Sequence, residues 1–105
     1  MAGIIMGNAQ ALGVITVTLS PALVAANTTA EQTFTVPGVK SGDYVYVNKP
    51  SAQAGLGIVG ARVSAANTVG ITFSNNTGSG ITPTASEAYL IFYVRPDATL
   101  TGVIA

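Results

Sequence analysis

The chain has 105 residues, enough for one small domain with a single core. Four basic and four acidic residues give zero net charge, and His, Cys and Trp are absent. That excludes a basic footprint for nucleic acid or anionic membrane, a disulfide framework, thiol chemistry, and metal or proton-transfer sites built on His or Cys.

Charged residues make up 8% of the chain, about a third of the usual share near 25%. Ala, Thr, Ser, Asn and Gly fill the gap, and a surface so weakly solvated favours association. At the start, Ile4, Ile5 and Met6 stand among glycines with no clear place in a two-layer core. An extended arm is expected over residues 1–11, followed by one domain over 12–105. The apolar stretch 2–26 has no basic flank before Lys40 and is interrupted by Asn8, Gln10, Thr16, Thr18, Ser20 and Pro21. It therefore matches neither a secretory signal nor a membrane span.

Beyond the arm, apolar residues alternate with a period of two. Ile15, Val17 and Leu19 alternate with Thr16 and Thr18 until Ser20-Pro21 ends the strand. Phe34 and Val36 alternate with Thr33 and Thr35 before a Pro37-Gly38 turn, and Val45 and Val47 alternate with Tyr44 and Tyr46. Val59, Ala61, Val63 and Ala65 share one face of the next strand, and Val69, Ile71 and Phe73 one face of its successor, with Ala66-Asn67 as the hairpin turn. Residues 74–83 read as a long flexible loop dividing a Greek key. The strand 88–95 is apolar on both faces, which predicts a central position covered on both sides. Residues 100–104 suit a last edge strand.

These signals predict an all-β single domain: an antiparallel β-sandwich or jelly-roll-like barrel. Its expected core is Ile15, Val17, Phe34, Val45, Val47, Val63, Ile71, Phe73, Leu90, Phe92 and Val94.

Motifs that would carry chemistry are weak. Gly55-Leu56-Gly57-Ile58-Val59-Gly60 fits GxGxxG, but strand-like residues follow it and no acid lies about 20 residues on, so bend glycines are expected, not a dinucleotide site. Glu31, Asp43, Glu87 and Asp97 each stand alone at a strand end or turn, giving neither a catalytic pair nor a calcium cluster. A Ser or Thr with Lys40 or Lys49 is the remaining nucleophile pair, and nothing marks one out. Catalytic residues, metal and cofactor are all expected to be absent. Tyr44, Tyr46, Tyr89 and Tyr93 fall in two strands and would form an aromatic band if those strands were neighbours. Arg62, among small residues, needs a carboxylate such as Glu31 or Glu87, or else anchors an interface. The echo between residues 24–28 and 63–68 is explained by turn chemistry as well as by duplication.

The run Thr33-Phe34-Thr35-Val36-Pro37-Gly38-Val39, then Gly42-Asp43, Gly55-Leu56-Gly57-Ile58 and residues 60–69 and 71–75, resembles small structural proteins of tailed bacteriophages. Head decoration or cement proteins are the nearest kind. The resemblance covers roughly residues 15–95 as a pattern, not as a mechanistic motif. It implies a non-enzymatic virion protein of the phage head, made in the host cytoplasm, that binds between capsomers and stabilises the shell. Its partners would be the major capsid protein and copies of itself, as a homo-oligomer, with no nucleic acid and no membrane. The interface candidates are Ile4, Ile5, Met6, Tyr44, Tyr46, Arg62, Tyr89 and Tyr93. The alternative is a carbohydrate- or receptor-binding module of a tail or fibre, using the tyrosines with Asn75 and Asn76 nearby.

Overall fold

A computed structural model describes residues 9–97. Within them lie six strands and no helix: β1 (Ala9–Leu19), β2 (Thr28–Thr35), β3 (Tyr44–Asn48), β4 (Leu56–Ala65), β5 (Thr68–Asn75) and β6 (Glu87–Pro96). They form two antiparallel three-stranded sheets, ordered β1-β6-β3 and β2-β5-β4. The expected arm and the last edge strand fall largely outside the described residues, as do Ile4, Ile5 and Met6. Ala9 and Ala11 already pair with Pro96 and Arg95 as the start of β1.

Turn chemistry sets the strand boundaries. Between β4 and β5, Asn67 takes a φ of 60°, a conformation that Asn tolerates better than most residues. Its side-chain oxygen accepts the Gly38 N–H at 2.9 Å. Asn27, before β2, has a φ of 51°. Thr28 and Thr68 donate their hydroxyls to the carbonyls of Ala26 and Ala66. The repeated Ala-Asn-Thr is thus one turn used twice. The GxGxxG residues run from the Gly55 turn, at φ 81°, into β4.

One core lies between the sheets. Val36, Val69, Ile71, Phe73, Tyr89 and Ile91 are fully buried, and Ile15, Val17, Phe34, Val47 and Val63 pack against them. Each complete burial stabilises the fold by roughly 1.5–3 kcal/mol before entropy is counted.

Three expectations are corrected. Leu90, Phe92 and Val94 do not join the core; Tyr89, Ile91 and Tyr93 point inward instead. Pairing decides the face: Ile91 lies opposite Ile15 and Tyr89 opposite Val17, while Leu90 lies opposite Thr16. Opposed residues share a side of a sheet. Second, β6 is the middle strand of its sheet, but only its inner face is covered. Third, the stretch expected as a flexible loop is internally bonded. Asn75, 1% exposed, donates to the carbonyls of Val24 and Ser79 and accepts the Thr77 N–H. Val24 and Ile81 exchange two backbone hydrogen bonds beside it.

Candidate interaction surface

The outer face of β1-β6-β3 is built from the strand positions that point away from the core. Register arranges them in three rows: Leu12–Val94–Tyr44, Val14–Phe92–Tyr46 and Thr16–Leu90–Asn48. Directly opposed residues lie side by side, so the rows fuse into one patch, aliphatic along β1 and aromatic along β3. Leu12, Val14, Tyr44 and Tyr46 are 59 to 67% exposed, and Leu90 and Phe92 about 40%. No described residue on this face carries a charge. Water covers a sheet face made of the residues that normally fill an interior.

The other sheet has the opposite character. Its outer face carries Thr29, Thr33, Thr35, Thr72 and Ser74, with the Thr29 and Ser74 hydroxyls 3.1 Å apart. Arg62 reaches across to Glu31 with two hydrogen bonds, Nε to Oε2 at 2.7 Å and Nη2 to Oε1 at 2.9 Å. Gly70 makes this possible, because a Cβ there would collide with the Glu31 carboxylate. Arg62 therefore has its bidentate partner within its own chain.

Two more ion pairs lie at sheet ends. Arg95 holds Asp43, whose side chain is 1% exposed, and Lys49 Nζ lies 3.1 Å from Glu87 Oε1. Hydrogen bonds from Arg62, Arg95 and Ser51 hold Glu31, Asp43 and Glu87, respectively, below the usual carboxylate range; Lys49 adds to the effect at Glu87. Six of the chain's eight charges are thereby matched in pairs, none of them on the apolar face. Each of these carboxylates is committed to its own cation, and among the described residues no three metal-ligating side chains cluster.

The remaining nucleophile pair is found at Lys49 and Ser51. Lys49 Nζ lies 3.2 Å from Ser51 Oγ, but it is ion-paired with Glu87, and the Ser51 hydroxyl donates to that same carboxylate. A paired ammonium has no lone pair with which to take the serine proton. The arrangement ties the end of β3 to the start of β6.

The four tyrosines do not form one band. β3 and β6 are neighbours, as the band requires, but Tyr44 and Tyr46 point outward and Tyr89 and Tyr93 inward. Tyr89 is fully buried, and burial together with the Glu87 charge pushes its phenol up to about 12. Tyr93 lies over Gly13 on β1 and carries Arg95 5.6 Å above its ring. Tyr89 is thus enclosed in the core, and Tyr93 is half-buried. Sequence reasoning missed Leu12, Val14, Leu90, Phe92 and Val94 as surface residues; the signal was the Thr16/Thr18 alternation of β1, which fixes the outward face of its neighbour.

A cavity of about 140 Å³ opens between the edge strands β3 and β4, lined by Val45, Val47, Ile58 and Ala61 among others. Among the described residues no helix is long and apolar enough to cross a membrane. No family model matches the chain, and neither a curated protein nor a solved structure matches it.

Proposed function

We propose that the chain is a non-enzymatic structural protein of a phage virion, a decoration or cement protein that binds between capsomers and stabilises the head. The single observation that carries this reading is the uncharged aliphatic and aromatic face of β1-β6-β3, on a molecule whose described ion pairs all lie elsewhere. Contiguous exposed apolar area of this kind marks a protein interface. The topology supports it. β5 and β6 run through the middle of the two sheets, flanked on one side by β2 and β1 and on the other by β4 and β3. We read this as a sandwich wound as a reduced, six-stranded jelly roll, an architecture used by viral capsid domains.

The partners on this reading are the major capsid protein and further copies of the chain, in the host cytoplasm during assembly and in the virion afterwards. On this reading the arm expected over residues 1–11, of which residues 9–11 are paired in β1, brings Ile4, Ile5 and Met6 to a neighbouring subunit. Small gains per copy multiply over a shell of many copies. The receptor-binding alternative draws less support: Asn75 is buried on the other sheet and its amide is already bonded.

The test is co-expression with the major capsid protein of the phage genome that carries the chain, followed by sedimentation of the shells. Stoichiometric co-sedimentation is expected, reduced by deleting residues 2–7 and, through lost pairing between copies of the chain, by Phe92→Asp. Shells that stay bare with the wild-type chain overturn the reading.

A further inference from the structure

We infer that the apolar face of β1-β6-β3 is covered by the same face of a second copy, related by a two-fold axis running along β6. The inference deepens the assembly reading and rests on it for the need of a partner, but its geometry comes from register alone. Rotation about β6 lays β1 of each copy across β3 of the other. Each of the three rows then meets its own copy with its residues in reverse order. Leu12 faces Tyr44 of the partner subunit, Val14 faces Tyr46 of the partner subunit, and Thr16 faces Asn48 of the partner subunit.

Each meeting is chemically matched. Aliphatic side chains fall on aromatic rings, hydroxyl falls on amide, and Phe92 meets Phe92 of the partner subunit at the centre. An axis across the strands would instead set β1 on β1 and bring Thr16 onto Leu12 of the partner subunit and Asn48 onto Tyr44 of the partner subunit. That arrangement leaves polar groups against hydrocarbon, which costs free energy without a compensating bond. Isologous contacts need this kind of self-complementarity. Packing sheet on sheet at about 10 Å is also how the chain builds its own core.

The size suffices. With about 150–250 Å² available per aromatic side chain and somewhat less per aliphatic one, the exposed apolar side chains present on the order of 600 Å². The Thr16, Thr18 and Asn48 rim brings the face near the ~800 Å² that each partner contributes to a standard interface. No charge needs to be desolvated to close it.

Sedimentation equilibrium of the full chain tests this with charges placed at Val14 and Tyr46, which are 61 and 67% exposed, so that circular dichroism should show the fold unchanged. The wild type should dimerise. Val14→Lys and Tyr46→Glu should each weaken the dimer by about 100-fold or more, since each buries an unpaired charge. Mixing the two variants should restore association, because the introduced ammonium on one copy meets the introduced carboxylate on the other. Thr33→Lys, on the opposite sheet, should leave the dimer intact. A monomeric wild type, a dimer that tolerates either single charge, or two variants that fail to combine overturns the inference. Shell binding separates it from the assembly reading: a monomer that coats shells removes the inference alone, and a dimer that coats none removes the reading alone.

Discussion

Asp43 and Arg95 stand 52 residues apart in sequence and meet through two hydrogen bonds, Nε to Oδ1 at 2.9 Å and Nη2 to Oδ2 at 2.8 Å. The same carboxylate accepts the Lys40 N–H, and the same guanidinium donates to the Gly38 carbonyl, so one ion pair pins the 36–43 connection to β6. Asp43→Asn preserves shape but removes the charge. It should cost about 2–3 kcal/mol in urea unfolding, because Arg95 loses its bidentate partner. An unchanged midpoint would show that the clamp is dispensable.

Acid should unfold the protein in a defined window. Glu31, Asp43 and Glu87 are held below their ordinary range in the folded chain, mainly by Arg62, Arg95 and Ser51. As pH falls, the unfolded chain therefore binds protons first, and stability declines from about pH 4 downward through the folded values. Above that the contribution is complete, and the chain has no His to titrate near neutrality. Thermal melts should be level from pH 7 to about pH 5 and fall steeply below about pH 4. A large loss of melting temperature between pH 7 and pH 5 would contradict this.

Asn75 replaces backbone partners for residues 76–81. Asn75→Ala should leave the Val24 and Ser79 carbonyls and the Thr77 N–H short of a partner, at a cost of about 2–4 kcal/mol. Hydrogen exchange should speed up first at Val24 and Ile81, whose paired amides sit beside it. Equal protection in the variant would refute the role.

Two turn positions should respond in opposite directions. Ser86, exposed, holds a φ of 57°, a conformation that costs a non-glycine residue energy. Ser86→Gly should stabilise by up to about 1 kcal/mol after the added freedom of the unfolded chain is discounted. Gly55 has a φ of 81°, and a Cβ there would run into the Thr77 methyl. Gly55→Ala should destabilise by about 1–3 kcal/mol. Differential scanning calorimetry on both variants reads the signs directly.

Much of the fold is legible as period two. Val45 and Val47, Ile71 and Phe73, and Ile15 and Val17 all lie on the side their alternation indicates. β6 defeats that reading because Tyr89, Ile91 and Tyr93 are as apolar as Leu90, Phe92 and Val94; only the pairing partner separates the two sets. The same ambiguity hid the exposed apolar face and split the tyrosines. Asn75 was hidden for another reason: the composition of 74–83 is that of solvated loops, and its one clue was an Asn followed two residues later by Thr77, the spacing of a side chain that bonds its own backbone.

The two strands that run through the middle of the sheets are also the last two of the described chain. β1 and β3 therefore have nothing to pair with until β6 exists, and β2 and β4 nothing until β5 does. A chain emerging from the ribosome holds its first sixty or so residues without a closed sheet, since nearly every ladder joins early sequence to late. Closing the β1-β6-β3 sheet must wait until β6 has been made, and loop closure over such separations makes it slow. The low charge that suits the finished surface leaves these waiting strands exposed to one another, so yield in the cell should depend on how densely the nascent chains are crowded.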